Sequence, residues 1–259
     1  TKGQTVDLRA PRQPLVGAQV VEYARSFLIG RVGWGPLGGN LIISGAFGLF
    51  RREPLLEIDG YEDGTVGEDM ELIVRLRRVA YERDEVAKVD FTPEPVAFTE
   101  APASVRTLAR QRNRWFRGLL DVLVRHRHMI LRRRYGSAGM LALPYFLVVE
   151  ALAPILEIVG LIGVVTVWLT GGLSPSTLGL IGLFYLVGMC ASLLVLLLDD
   201  MVFGSMGRSS DRVLMVGHLL FEQMVFRPMT LVWRLWGLLL FLQGRTEWGV
   251  QERRGFAGP

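Results

Sequence analysis

Cysteine is nearly absent. The single residue, Cys190, stands in the middle of an apolar run, so neither a disulfide framework nor a cysteine-based metal site is available. Histidine is scarce. His126, His128 and His218 show no metal spacing with a second ligand and read as structural or surface side chains. Lysine is the third shortage: Lys2 and Lys88 are the only two lysines among 29 cationic residues. Arginine therefore carries the positive charge, a bias that GC-rich codon usage would also produce. No Asp-x-Asp pair occurs in the sequence. The stretch up to about residue 35 carries no export signal and reads as the interior of a domain.

What is plentiful is apolar surface. Of 259 residues, 50% are hydrophobic, and the mean hydropathy is +0.33. That is too apolar for a typical soluble domain and implies membrane spans. The first 137 residues mix charged and apolar side chains, whereas 138–243 are mostly apolar. One soluble and one membrane portion are expected. Residues 101–136 hold ten arginines against one acid, Asp121. A basic block beside an apolar span favours the cytoplasmic, anionic membrane face, and it suits phosphate groups as well. No nucleic acid partner is expected, because the adjoining spans explain the charge.

Along the chain, residues 1–20 read as loop or linker and 21–34 as a short amphipathic helix broken by Gly33, Gly35, Gly38 and Gly39. Leu41 to Ser44 is a short buried-strand candidate. It runs into a glycine-rich stretch from Gly45, where the backbone can approach a ligand or simply pack tightly. Asp59-Gly60 and Asp63-Gly64 signal turns. From Glu68 to about Arg83 the pattern is helical, with Leu72, Leu76 and Val79 on one side. Glu68 and Asp69 fall in the first turn, where the helix dipole alone would favour acids. Residues 86–98 read as strand and loop.

Residues 103–124 form a second helix candidate. Val105, Leu108, Trp115, Phe116, Leu119, Leu120 and Leu123 share one face, with Arg106, Arg110, Arg114 and Arg117 on the other. Arg112 projects into the apolar arc, which is costly unless it meets an anion or a carboxylate. Gln111 and Trp115, four apart, lie on one side. In the apolar portion, Thr177–Leu198 is 22 residues without a charge. Val148–Thr170 also spans but carries Glu150, Glu157 and Pro154. Residues 213–242 are interrupted by Glu222, Gln223, Arg227 and Pro228 and read as a broken or re-entrant element. A basic tail placed inside then requires an even number of crossings.

Three stretches together resemble processive, membrane-integrated family-2 glycosyltransferases such as the synthases of cellulose, hyaluronan, chitin and poly-N-acetylglucosamine. They are Ser44-Gly45-Ala46-Phe47-Gly48-Leu49-Phe50-Arg51, Gly67-Glu68-Asp69 and Gln111-Arg112-Asn113-Arg114-Trp115. The last is similar to that family's Gln-x-x-Arg-Trp signature. The resemblance implies an α/β fold, the second half of a GT-A type domain, followed by an α-helical transmembrane region. It implies a cell-membrane protein of several passes with its catalytic portion cytoplasmic. The reaction implied is inverting transfer from a nucleotide-sugar, usually a UDP-sugar, to a growing glycan. Asp69 would be the general base, with Glu68 beside it. Gln111, Arg112, Arg114 and Trp115 would hold the acceptor end and the donor diphosphate, and Ser44 and Gly45 would line the substrate site. Trp offers a flat face to a sugar ring, and Arg pairs with phosphate.

Departures from the family pattern shape the rest of the expectation. The family's earlier acidic motifs, which bind the nucleotide and a divalent metal (Mg or Mn), are missing, and Gly precedes Glu68-Asp69 where many members have Thr. The expectation is a chain lacking the donor and metal half, either as a fragment or with a separate polypeptide supplying it. The expected division is residues 1–100 as the catalytic half, 101–147 as Arg-rich interface helices, 148–243 as the transmembrane region and 244–259 as a cytoplasmic tail. Alternatives are a non-processive transferase acting on a lipid acceptor and a non-catalytic membrane subunit of a polysaccharide complex.

Overall fold

Proline, glycine and buried charge decide how this chain becomes helical. The structure, a computed structural model, describes residues 10–43, 45, 47–92, 100–172, 174–203 and 208–245. Its helices are α1 (Pro14–Tyr23), α2 (Gly30–Trp34), α3 (Arg52–Glu57), α4 (Glu68–Glu82), α5 (Val105–Arg125), α6 (Leu143–Tyr145), α7 (Ala153–Leu169), α8 (Pro175–Phe203), α9 (Ser209–Phe221) and α10 (Arg227–Leu242). Four π-helical segments join some of them: Ala24–Ile29, Ala138–Ala142, Phe146–Ala151 and Glu222–Phe226.

The expected α/β fold is not what forms. The protein is 74% helical, and no strand or sheet occurs among the described residues. The GT-A half-domain expectation is thereby corrected. The physical reason lies in Leu41–Ile43. An apolar run needs a neighbouring strand to satisfy its backbone groups, and none is present among the described residues. The segment instead lies irregular, with Leu41 plugged into a helical core at 1% exposure. Residues 85–92 are likewise irregular. Ser44 and 93–99 lie outside the described residues. The first helix also begins earlier than expected, because Pro14 takes its first turn, where a fixed φ and a missing N–H cost nothing.

The chain gathers into two compact units. One comprises residues 1–30, 101–105 and 164–229. Its core is Val21, Leu196, Met215 and Leu219. Here α1 meets α9 through Gly17: a Cβ there would lie 2.2 Å from the His218 ring. The His218 Nε2 donates to the Pro11 carbonyl at 2.6 Å. Buried Gln19 donates to the Pro102 carbonyl at 2.8 Å, tying residues 101–105 to α1.

The other unit comprises 31–100, 106–163 and 230–259. Its core joins Leu41, Met70, Val74, Val122, Leu123, Met129, Tyr135, Ala138, Leu143 and Phe146. Arg77, 1% exposed, donates to the Gly38 carbonyl, and Ser137 Oγ donates to the same oxygen at 2.9 Å. Gly38 has φ +60°, a conformation glycine adopts without penalty.

Three helical stretches are long and apolar enough to cross a membrane: Ala138–Leu169, Pro175–Met201 and Ser209–Leu242, with mean hydropathy 2.2, 2.5 and 1.4. The third, read from sequence as a broken element, is one helix of 34 residues. Pro144, Pro154 and Pro228 each follow a π-helical segment by two or three residues. A proline removes one backbone donor and clashes with the carbonyl four residues back. A wider turn before it relieves both problems, so the helix continues rather than stops. Glu150, costly inside a span, is met by Arg234 at 2.9 Å.

Candidate active site

Two glycines place the first turn of α4 against α5. A Cβ on Gly67 would stand 2.9 Å from Gly118 Cα, and one on Gly118 would stand 2.8 Å from Gly67 Cα. Those neighbours are backbone atoms and have no rotamer with which to yield. The contact is therefore backbone on backbone, and only glycine on both sides permits it. A polar latch holds the approach. Thr65 Oγ1 donates to Asp121 Oδ2 at 2.8 Å, and Arg125 Nε bridges both Asp121 oxygens at 2.9 Å. Arg125 also reaches Glu62 at 3.1 Å and the Gly64 carbonyl at 3.2 Å. Asp121, the lone acid of the basic block, is what these donors converge on.

A buried base plate stiffens α4 behind its first turn. Glu71 is 1% exposed and accepts from Arg75 Nε at 2.9 and 3.1 Å, with His126 Nε2 at 3.4 Å. Burial pushes its carboxyl up, but the bonds from His126 and Arg75 outweigh burial and hold it below the usual carboxylate range. Arg75 further donates to the Ile58 and Gly60 carbonyls, closing the turn before α4.

On this frame Arg114 comes to Glu68, Nη1 to Oε1 at 3.9 Å. Asp69 Oδ1 accepts the Met70 N–H at 2.8 Å. Burial raises the Asp69 carboxyl above its ordinary value, while the Met70 N–H, Arg114 and Arg31 pull it back. Burial raises Glu68 as well, and the neighbouring Asp69 charge adds to the rise while Arg114 opposes it. Gly45 borders the same acid, for a Cβ there would lie 3.4 Å from Asp69 Oδ2. Two carboxyls thus share one first turn, both raised by burial and both opposed by the Arg114 charge.

The remaining sequence-derived candidates lie along α5. Arg112 is 7% exposed, and its guanidinium lies over the Trp115 ring, 4.5 Å from the centroid. Stacking is how the arginine that intrudes on the apolar arc is accommodated. Trp115 keeps 37% exposure, so part of its face stays open. Gln111 is half-buried, and its Oε1 meets no hydrogen-bond donor among the described residues, as is true of Glu68 Oε2. Thus Gly45, Glu68, Asp69 and Arg114 come together, and Arg112 and Trp115 pair with each other. Ser44 lies outside the described residues.

Sequence reasoning missed Arg31 and the Gly67–Gly118 contact. Arg31 is largely buried, which lowers its affinity for a proton, and Asp69 opposes that loss. No motif marks Arg31. A lone Gly118 inside an Arg-rich helical stretch was a readable signal of close backbone approach.

The divalent metal implied by the resemblance does not fit these residues. Among the described residues no group of three or more His, Cys, Asp or Glu is placed to hold a metal ion. The acidic pair at this site, Glu68 and Asp69, already faces arginine charge.

Comparison with known proteins gives one result. The family model for glycosyl transferase family group 2 matches residues 19–242. Searches of curated proteins and of solved structures each returned no match.

Proposed function

The chain belongs to glycosyl transferase family group 2, and from that membership we propose that Asp69 is the general base of an inverting sugar transfer to a growing polysaccharide at a membrane surface. Membership itself carries glycosyl transfer from a nucleotide-sugar donor to a glycan acceptor. The finer reading adds a UDP-sugar as donor, processive synthesis, and a cytoplasmic catalytic portion of a multi-pass protein of the cell membrane.

The observation that carries the reading is the Gly67–Gly118 contact, which sets Glu68 and Asp69 against Arg114 of the Gln111–Trp115 segment. Asp69 would take the proton from the acceptor hydroxyl as its oxygen attacks the anomeric carbon. Burial raises the carboxyl and so makes the carboxylate a stronger base, while the Met70 N–H and the nearby guanidiniums oppose that rise. Arg114 and Arg112 would neutralise the departing diphosphate. The exposed part of Trp115 would seat the acceptor sugar ring. Gly45, and Ser44 before it, would border the reacting centre.

A divalent metal remains implied by the resemblance alone, and no step here passes through it. The proposed division places the reacting carboxyls in 1–100, the interface helices with Arg112, Arg114 and Trp115 in 101–147, the spans in 148–243 and a tail in 244–259.

The test is transfer from radiolabelled UDP-sugars in membranes carrying the chain, with products sized by gel. A polymer ladder that disappears in Asp69→Asn at unchanged protein level supports the reading. A single-sugar lipid product would replace the processive part of it. Unchanged polymer output from Asp69→Asn would overturn it.

A further inference from the structure

A second acid–arginine cluster lies in the unit that holds α1, α8 and α9. Glu222 opens the π-helical segment Glu222–Phe226 and is 1% exposed. Its Oε1 accepts from Arg25 Nη2 at 2.8 Å and from Arg227 Nε at 3.0 Å. Arg25 Nη1 donates to Ser192 Oγ at 2.9 Å. Ser192 in α8 is 1% exposed and lies 3.4 Å from Gln223 Nε2. Both Glu222 and Ser192 belong to helices apolar enough to cross a membrane.

The bonding is lopsided. Two arginines share one carboxylate oxygen, while the other, Oε2, is buried and has no hydrogen-bond partner among the described residues. A buried carboxylate oxygen without a donor is costly, most of all beside lipid. Arg25 has five N–H groups, of which two make the bonds above. Its side chain is 29% exposed and that of Arg227 is 41% exposed, so both guanidiniums are reachable from outside. The π-helical turn widens the helix at this point. The site thus presents arginine donors for an anion and one buried acceptor that wants a donor.

We propose that this cluster binds a phospholipid headgroup that has both a phosphodiester and a hydrogen-bond donor, as phosphatidylethanolamine and phosphatidylglycerol do. The phosphate sits on Arg25 and Arg227. Glu222 Oε2 is sealed in this fold, so the ammonium or hydroxyl reaches it as the partly exposed Arg25 and Arg227 side chains swing onto the phosphate. Phosphatidylcholine offers the same phosphate with no donor, so it satisfies only half of the site. This rests on the apolar helices lying in a bilayer and not on the chemistry assigned to Asp69, and its test reads lipid rather than sugar transfer.

The experiment is native mass spectrometry of the full chain released from phosphatidylcholine vesicles doped with phosphatidylethanolamine or phosphatidylglycerol. Wild type is expected to retain the donor-bearing lipids at least about fivefold over phosphatidylcholine, a factor near 1 kcal/mol. Arg25→Gln should lose retention of every lipid, and Arg25→Lys should recover part of it. Glu222→Gln should keep phosphate binding but lose the preference over phosphatidylcholine. Equal retention of all three lipids by wild type overturns the proposal without any variant. Displacement of the lipid by millimolar inorganic phosphate would assign the site to a free phosphate and overturn the lipid source.

Discussion

Asp69 and Glu222 are both acids facing two arginines, yet their surroundings set them to different work. Asp69 lies in a helix first turn behind a glycine–glycine contact, and burial raises its carboxyl more than Arg114 and Arg31 lower it. Glu222 is nearly sealed, with Arg25 and Arg227 bonded to a single oxygen at 2.8 and 3.0 Å. On the proposed reading, an acid left short of direct bonds to cations keeps its basicity for a substrate proton. An acid bonded directly to two guanidiniums is tied into the packing and holds helices together. The number of direct bonds, and not the number of nearby charges, separates a reactive carboxylate from a structural one.

Neutralising each acid breaks the comparison in opposite ways. Asp69→Asn should cut the transfer rate by about 10²–10⁴-fold, the span of a lost general base. Its thermal midpoint should stay level or rise at pH 7. The sign follows from the raised carboxyl: its favourable contribution is full below the unfolded pKa and is lost as pH rises through the folded one. Above the folded pKa the ionised form is therefore a cost that the neutral amide removes. Glu222→Ala should instead cost about 3 kcal/mol of stability, the low end for a broken buried pair because both arginines can regain water. Denaturant unfolding in detergent reads it.

Gly118→Ala adds a methyl where Gly67 Cα stands 2.8 Å away. It should cost about 2 kcal/mol as an overpacked contact and lower transfer by moving α4 from Arg114. Gly217→Ala, with open space at its Cβ, is the matched control and should be near neutral. The smallest effect is expected from Thr65→Val, which removes one bond to Asp121 and should cost about 1 kcal/mol in the same assay.

Much of the helical content near the site was legible in the sequence. The expected helix from Glu68 to about Arg83 is Glu68–Glu82, and that over 103–124 is Val105–Arg125. Both have apolar periodicity over several turns, a signal that local packing preserves. Leu41–Ser44 misled because a short apolar run looks the same whether it pairs with a strand or fills a gap between helices. Pro228 read as an interruption, since composition does not reveal that the π-helical segment Glu222–Phe226 can absorb it. The paired motifs singled out Glu68, Asp69 and Arg114, which the fold brings close to one another. Arg31 was invisible, because its relation to Asp69 depends on tertiary packing that no local spacing encodes.

The most direct measurement of the central claim is the pH dependence of kcat/KM for wild type beside the residual activity of Asp69→Asn. With Asp69 as the base, the wild-type rate should rise along a single-proton limb placed above the ordinary carboxylate range, and that limb should vanish in the variant. A limb that persists unchanged in Asp69→Asn would contradict the account.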